Sequence, residues 1–313
     1  MPVSVAIRFT HASLQVLAED YGIDLLHIKG PAVDDALLEV RVSSISRTDG
    51  VAESEPESPL GAAETVARRS IDVDVLVRPA HLDRLSMAMR QHGWTTKYRF
   101  EVGSAFEHAA TMTHPFLAPV DVHRHFPGMD SDPEAAFSRL WRDRHTVELA
   151  GTPCPVPSVT AQRLILILHA TRAGQLTHPD ILRSWTAARE DDRDAVRRLA
   201  ADLGAEVGLA AGTGRLDEFS GARGYALWLA LSTGERSLVR MWVARVKAAP
   251  TRRAALRTAV HLLVPNPRRL EATLGRPPTA REITRAYWRR ARRGGREMGT
   301  LLRATVRRAR GGP

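Results

Sequence analysis

Two aspartates stand one residue apart in the otherwise apolar segment Ser-Ile-Asp-Val-Asp-Val-Leu-Val at 70–77. Side chains alternate along a β-strand, so Asp72 and Asp74 share one face while the valines take the other. Two carboxylates this close repel each other, and burial makes the repulsion worse unless a cation lies between them. Oxygen ligands of this kind suit Mg²⁺. The spacing therefore predicts a metal site, with a solvated edge strand as the alternative.

A second segment, 119–126, carries an isolated acid in a strand-like pattern. Asp121 and His123 fall on one face, and Val120 and Val122 fall on the other. If this strand lies beside the first, Asp121 completes a cluster of three carboxylates. Such a cluster can hold two ions that bind the attacking and leaving oxygens of a phosphoryl transfer. His123 would then contact a substrate phosphate or orient Asp121, although a half-exposed strand gives the same pattern.

A third feature is the Lys29-Gly30-Pro31 turn, which follows the apolar segment 24–28 and precedes a predicted helix at 32–40. Backbone N–H groups at a helix N-terminus bind anions, and a glycine lets a phosphate approach closely. Lys29 is one of only three lysines among 45 basic residues. The turn is predicted to bind phosphate, with an ordinary loop glycine as the alternative.

Histidines near these segments raise the question of zinc. His108, His114, His123 and His125 show no familiar ligand spacing on a predicted helix, and the chain has a single cysteine, Cys154. Zinc sites are usually built from such spacings, often with cysteine. The sequence therefore favours magnesium over zinc.

Taken in order, these segments resemble the uncharacterised bacterial nucleotidyltransferase family, a branch of the polymerase-β-like nucleotidyltransferase superfamily. The resemblance covers about residues 10–190 and includes the helix with Leu-His-Ala-Thr-Arg-Ala-Gly at 168–174. It implies that Asp72, Asp74 and Asp121 bind two Mg²⁺ ions, with Mn²⁺ as a possible substitute. It also implies that Lys29, Gly30 and Arg68 bind the nucleotide phosphates.

The chain departs from the superfamily pattern at two places. The more usual Gly-Ser is Lys-Gly-Pro here, which removes a hydroxyl contact. An insertion at 43–64, rich in Ser, Gly, Pro and acidic residues, lengthens the path from Gly30 to Asp72. Because its acids would repel a nucleotide, we expect this flexible insertion to loop away from the site.

The elements that must position these residues are predicted from hydrophobic periodicity. The fold class is α/β (α+β), a small mixed β-sheet with flanking helices, followed by a helical C-terminal part. We predict a nucleotidyltransferase catalytic domain at 1–152 and a helical domain at 153–313. The predicted helices are 3–20, 32–40, 81–92 and 132–142, and the predicted strands are 24–28, 70–77, 94–102, 107–114, 119–126 and 145–149.

The formal net charge of +10 is concentrated at the C-terminus, where residues 281–310 contain eleven arginines and two glutamates. This Arg-rich tail, 281–313, is predicted to be amphipathic. It would bind an acidic partner, an anionic membrane surface or RNA, or pack on its own domain. The charged N-terminal segment is unlike a signal peptide, no apolar run is long enough to span a bilayer, and one cysteine excludes an internal disulfide. We therefore expect a cytoplasmic protein.

The predicted function is a Mg²⁺-dependent nucleotidyltransferase that moves a nucleoside monophosphate from an NTP to an acceptor. The acceptor is an unidentified hydroxyl-bearing small molecule, peptide or RNA, and the resemblance implies biosynthesis of a natural product, such as a lasso peptide, or of a polysaccharide. Two alternatives remain, namely a toxin-like enzyme that modifies tRNA and a non-catalytic module that binds nucleotide or acts as a scaffold.

Overall fold

The computed structural model describes residues 2–38, 70–100 and 106–310. Its main sheet contains the strands β1 (Leu25–His27), β2 (Val73–Val77), β3 (Thr95–Tyr98), β4 (Ala109–Thr113) and β5 (Val120–His123). The sheet is mixed and has the strand order β1-β2-β5-β4-β3. Strands β2 and β5 are parallel, whereas β1 pairs with β2, β4 with β5, and β3 with β4 in antiparallel register. The mixed α+β fold class is therefore confirmed.

The two faces of this sheet pack against different parts of the chain. Val73, Val75 and Val77 lie in one apolar core with helices α1 (Val3–Asp20) and α2 (Leu82–Gln91). Leu26 and Leu76, on the opposite face, belong to a second core with the helical C-terminal part. The alternation of valine and polar residues in β2 thus matches the two environments of the sheet, because successive side chains point to opposite faces.

The helices that frame the sheet begin at capping residues. Helix α3 (Pro133–Arg142) follows Asp132, whose carboxylate accepts hydrogen bonds from the backbone N–H groups of Glu134 and Ala135. Helix α4 (Val159–Arg172) follows Ser158, whose hydroxyl accepts a hydrogen bond from the backbone of Ala161. Both residue types cap helices by satisfying N–H groups that have no partner in the first turn. The cap at Ser158 thus fixes where α4 begins.

The helical part continues after α4 as a series of helices around the second apolar core. Short turns at Pro179–Ile181 and Leu182–Thr186 connect α4 to this series. Its members are α5 (Glu190–Leu203), α6 (Glu206–Gly212), α7 (Tyr225–Ser232), α8 (Leu238–Lys247), α9 (Arg252–Leu263), α10 (Pro267–Leu274) and α11 (Ala280–Arg310). Among the described residues, no helix combines the length and apolar character needed to cross a membrane.

The predicted helix at 32–40 is wrong over its described part. Residues 30–38 form two short 3₁₀ turns, Gly30–Ala32 and Asp35–Leu37, while residues 39 and 40 lie outside the described residues. Asp34 explains the second turn, since its carboxylate accepts a hydrogen bond from the backbone N–H of Ala36. This local bond competes with a continuous helix.

A strand that the sequence analysis did not predict, β7 (Thr152–Val156), pairs with β6 (His145–Leu149) in a separate two-stranded sheet. Its two prolines argued against a strand in the sequence, because proline lacks an N–H and is found in strands only at edges or bulges. The predicted boundary between residues 152 and 153 falls inside β7. The division into two domains stays a prediction.

As far as Arg310, where the described residues end, the Arg-rich tail forms helix α11, which packs on the chain itself. The carboxylate of Glu297 accepts hydrogen bonds from the Ser237 hydroxyl and from the backbone N–H of Val239, at the start of α8. Gly294 is buried against Trp242, and the Arg290 guanidinium lies 4.9 Å from the centre of the same indole. Of the predicted apolar stripe, Met298 is exposed. The side chains of Leu301, Leu302 and Val306 lie outside the described part of the chain.

Candidate active site

The three predicted acids lie together on one region of the sheet. The parallel register of β2 and β5 places Asp74 directly opposite Asp121, and paired strands are about 4.8 Å apart. Asp72 precedes β2 by one residue. Burial raises the pKa of Asp72, and the nearby carboxylates of Asp74 and Asp121 raise it further. The structure thus brings together three carboxylates from distant parts of the sequence.

Asp74 is the most buried of the three, with 3% of its surface exposed. Its Oδ1 atom lies 2.7 Å from the ammonium of Lys29 and 2.8 Å from Nε2 of His123. Burial alone would raise the pKa of this carboxyl. The charge of Lys29 and the hydrogen bond from His123 outweigh burial and hold the pKa well below its usual range. Asp74 is therefore an anion at any physiological pH.

Asp121 is half-buried and is held by the neighbouring strand. The Thr111 hydroxyl donates a 2.6 Å hydrogen bond to Oδ1 of Asp121, and Thr111 is its register partner in β4. The contacts from described residues to Asp74 and Asp121 both fall on Oδ1. Within the described ranges, no side chain or backbone group is hydrogen-bonded to the second oxygen of either carboxylate.

The glycine turn lies beside Asp72. Gly30 has a φ of +64°, which side chains rarely allow, and an added Cβ would lie 3.4 Å from the Ser70 hydroxyl. Ser70 in turn donates hydrogen bonds to the backbone carbonyl and the carboxylate of Asp72, at 2.7 and 3.3 Å. Glycine adopts this left-handed backbone conformation readily, whereas a residue with a Cβ would be strained there.

Lys29 is not followed by the helix N-terminus that the sequence predicted. The turn that follows it is a three-residue 3₁₀ turn, which supplies little of the dipole of a full α-helix. The Lys29 side chain is buried and paired with Asp74. Its predicted contact with phosphate stays a prediction. Arg68, the other predicted phosphate ligand, lies outside the described residues.

Two further residues, His108 and Arg172, extend the site beyond the predicted set. The His108 ring lies 5.1 Å from that of His123. Burial, followed by the charges of His123 and Arg172, lowers the pKa of His108 to about 2. The Arg172 guanidinium is 3.4 Å from Nε2 of His108. Arg172 ends helix α4, where the Leu-His-Ala-Thr-Arg-Ala-Gly segment was the only signal of it in the sequence.

A pair of buried histidines packs next to the Gly30 turn. Nδ1 of His11, on α1, lies 2.8 Å from Nδ1 of His27, on β1, and Nε2 of His27 lies 3.2 Å from the Gln15 side-chain oxygen. Burial lowers the pKa of both rings, that of His11 to about 4, so the pair shares its hydrogen bond as neutral imidazoles. An added Cβ at Gly30 would lie 3.7 Å from Nε2 of His11. The pair therefore packs under the glycine turn.

The carboxylates fit a magnesium ion by donor type, although their arrangement is incomplete. Within residues 2–38, 70–100 and 106–310, no set of three or more Asp, Glu, His and Cys side chains is arranged to hold a metal. Lys29 and His123 share the Oδ1 atom of Asp74, so part of this carboxylate's charge is already balanced. Burial and then the neighbouring carboxylates raise the pKa of Asp72, and a cation bound between the acids would lower it.

Comparison with known proteins gives the class of this chain. A family profile described as "Uncharacterised nucleotidyltransferase" matches residues 63–221, slightly more than half of the 313 residues. The chain belongs to this nucleotidyltransferase family. The matched range contains Asp72, Asp74, Asp121 and Arg172, whereas Lys29 and Gly30 precede it.

Individual proteins add little to this assignment. The solution structure of the antibiotic-resistance factor ANT(2'')-Ia is similar to this chain at 13% identity, over 71% of this chain and 97% of the other, with a TM-score of 0.36. No curated protein sequence matches this chain.

Proposed function

We propose that this chain transfers a nucleoside monophosphate from an NTP to the hydroxyl of an acceptor, with Mg²⁺ held by Asp72, Asp74 and Asp121. The observation that carries the proposal is the register of β2 and β5, which sets Asp121 opposite Asp74 on the face that also carries His123 and Thr111. A module that only bound nucleotide would have little need for three acids at one point. Mn²⁺ could take the place of Mg²⁺ at such oxygen ligands.

In this reaction the acceptor oxygen forms a bond to the α-phosphorus, and the bond from that phosphorus to the β-phosphate bridging oxygen breaks. Pyrophosphate leaves, and the acceptor hydroxyl loses its proton. Bound Mg²⁺ would neutralise the phosphate charge and lower the pKa of the acceptor hydroxyl. The second oxygen of Asp121 would take up the hydroxyl proton or orient the hydroxyl, and catalysis would come mainly from such positioning.

The other predicted residues have roles that follow from their contacts. Lys29 and His123 keep Asp74 ionised and fix its carboxylate. We assign the triphosphate to the Gly30 turn, where Lys29 would supply positive charge and His123 a hydrogen bond. A phosphate contact by Arg68 is what the family resemblance implies. The Lys29 ammonium would contact the triphosphate while it stays beside Oδ1 of Asp74, and the metal would bind Asp74 through its second oxygen.

The class of acceptor is proposed from the family resemblance alone, which implies a role in natural-product or polysaccharide biosynthesis. The cationic helix α11 gives some support to the rival acceptor, tRNA. Deleting residues 281–313 and measuring salt-sensitive binding to RNA would separate these two cases.

The test is Asp121→Asn, which keeps the size of the side chain and an oxygen to accept the Thr111 hydrogen bond. Wild-type protein with an α-³²P-labelled NTP, Mg²⁺ and a host extract should give a labelled product. Loss of one metal ligand should lower that labelling by about 100-fold or more. Asp83→Asn, an exposed position on α2, serves as the control.

Labelling by Asp121→Asn at the wild-type rate would remove the metal role. The unfolding transition of Asp121→Asn should match that of the wild type, since the substitution should leave the fold intact. This measurement shows that a loss of labelling comes from the site and not from unfolding.

A further inference from the structure

Arg172, the last residue of α4, carries a positive charge that its described neighbours orient but do not neutralise. Its guanidinium lies 3.4 Å from Nε2 of His108 and 3.5 Å from Nδ1 of His169. In the described part of the chain it forms no ion pair with a carboxylate. Its Nε atom is enclosed and has no hydrogen-bond partner among the same residues.

The groups that hold Arg172 in place include aromatic rings and a neutral imidazole. Its guanidinium carbon lies 5.8 Å from the centre of the Phe106 ring and 5.3 Å from that of Phe126. Burial, followed by the charges of His123 and Arg172, lowers the pKa of His108 to about 2. His108 is therefore neutral, and its Nε2 lone pair accepts the N–H of the guanidinium, which can only donate. These contacts fix the direction of Arg172 and supply no negative charge.

Arg172 remains a cation at neutral pH. Burial is the largest influence on its pKa and lowers it to about 10, while the charge of Asp74 acts in the opposite direction. The side chain is partly exposed, so a ligand can reach it. An enclosed charge without a counter-ion is costly, and a guanidinium matches the oxygens of a phosphate with a planar fork of N–H donors. An anion of the phosphate type is therefore the partner that this position lacks.

Lys29 and Arg172 reach the same place from two distant parts of the chain. Lys29, after β1, lies 2.7 Å from Oδ1 of Asp74. Arg172 contacts His108, whose ring centre is 5.1 Å from that of His123, the other partner of Oδ1. After burial and the charge of His123, the charges of Arg172 and Lys29 both lower the pKa of His108. Two cations therefore lie beside Asp74, one from the sheet and one from the helical part.

We propose that Arg172 binds the triphosphate of the nucleotide, so that Lys29 and Arg172 hold this polyanion together. The inference rests on the proposed nucleotidyl transfer and adds a phosphate-binding residue from the helical part of the chain. Oδ1 of Asp74 already shares the Lys29 ammonium, whereas no described carboxylate competes for Arg172. In the transfer, negative charge grows on the leaving pyrophosphate, and a cation in a fixed position stabilises that charge.

A purely structural role for Arg172 predicts a different behaviour. The residue joins α4 to Phe106 and His108, before β4, and to Phe126, after β5. If these contacts were its whole function, a neutral substitution would change the stability of the chain and leave its affinity for polyphosphate unchanged. Binding of a phosphate probe therefore separates the two roles, and it requires neither the acceptor nor the right base.

The experiment measures binding of inorganic tripolyphosphate with Mg²⁺ to the full-length chain by calorimetry. The variants are Arg172→Met, which keeps the apolar stem, and Arg172→Gln, which keeps an N–H donor for His108 but lacks the charge. The matched control, Arg289→Met, removes the same charge from an exposed position on α11, where the many arginines would attract any polyanion. An ionic strength of about 0.15 M screens such attraction beyond roughly 8 Å.

Both Arg172 variants should bind tripolyphosphate about tenfold or more weakly than the wild type, because they lose charge-assisted hydrogen bonds. Arg289→Met should bind it as the wild type does. A urea unfolding transition is recorded for each variant, and Arg172→Gln carries the test if Arg172→Met does not fold. Wild-type affinity in a folded Arg172 variant, or an equal loss in Arg289→Met, would overturn the assignment.

Failure of this inference differs from failure of the proposed function. If the wild type binds tripolyphosphate and gives a labelled product, and a folded Arg172 variant does both equally well, the transfer stands and only the role of Arg172 falls. If the wild type binds neither tripolyphosphate nor any NTP in the presence of Mg²⁺, the nucleotidyl transfer itself falls, and the role of Arg172 falls with it.

Discussion

The buried pair of Lys29 and Asp74 gives the sharpest test of the electrostatics of the site. The two charges are 2.7 Å apart, and their side chains are 8% and 3% exposed. The substitution Lys29→Met keeps the apolar stem and removes the ammonium. Asp74 would then keep only the hydrogen bond from His123 against the cost of burial, which is the largest influence on its pKa. Removing one partner of a buried pair typically costs about 3–5 kcal/mol.

The expected shift in melting temperature follows from the size of the chain. An unfolding entropy of about 2.1 cal/mol/K per residue over 313 residues gives about 0.66 kcal/mol/K. A loss of about 3–5 kcal/mol therefore lowers Tm by roughly 5–8 °C if the chain unfolds as one unit. Lys97→Met, at an exposed lysine on β3, should shift Tm by far less.

The pH dependence should change sign with the substitution. In the wild type the pKa of Asp74 is lowered by folding, so its contribution is present above the unfolded pKa of about 4 and is lost as the pH falls toward the folded pKa. In Lys29→Met, burial should raise that pKa above the unfolded value. The variant should then regain stability as the pH falls from 7 to 4, where the wild type changes little from this group.

The assay is urea unfolding of the metal-free protein in chelator, between pH 4 and 7, for wild type, Lys29→Met, Asp74→Asn and the double variant. The double variant should recover much of the loss, because it removes both charges. Strictly additive losses, or a Lys29→Met variant with the pH profile of the wild type, would refute the coupling between the two side chains.

Two further predictions follow from local geometry. Gly30→Ala and Gly214→Ala both force a side chain into a left-handed backbone, so each should lower the free energy of unfolding by about 1–2 kcal/mol in chemical unfolding. An added Cβ meets Ser70 only at Gly30, so only Gly30→Ala should also lower nucleotide transfer. Equal transfer by both variants would contradict a role for the turn. Burial raises the pKa of Cys154 to about 12, so iodoacetamide at pH 8 should alkylate the native chain far more slowly than the urea-unfolded chain, and equal rates would contradict its burial.

The acids were predictable from the sequence because strand alternation fixes the face of each side chain. Asp72 and Asp74 interrupt a run of valines, and Asp121 repeats the pattern between Val120 and Val122. Alternation cannot say which strands are neighbours. That β2 and β5 pair in parallel, with Asp74 opposite Asp121, is decided by packing over the whole sheet.

Other parts of the site could not be predicted because they depend on contacts between distant residues. The pairing of His11 with His27 joins a helix to a strand, and each residue alone looks like an ordinary core histidine. Arg172 becomes notable only because His108 and two phenylalanines surround it. The hydrophobic spacing after Gly30 predicted a helix at 32–40. The structure has 3₁₀ turns there instead, because the hydrogen bond to the Asp34 side chain favours a local turn over a continuous helix.

The choice of lysine at position 29 follows from the same geometry. In a chain whose basic residues are nearly all arginine, Oδ1 of Asp74 is shared by a cation and by the Nε2 of His123. A guanidinium prefers to bind both oxygens of a carboxylate through two parallel hydrogen bonds, whereas an ammonium is a compact point charge. An arginine would therefore compete with His123 and cover the second oxygen, which the proposed metal needs. Lysine neutralises Asp74 from one side and leaves that oxygen accessible, so the same buried pair that stabilises the fold also keeps the carboxylate ready to bind an ion.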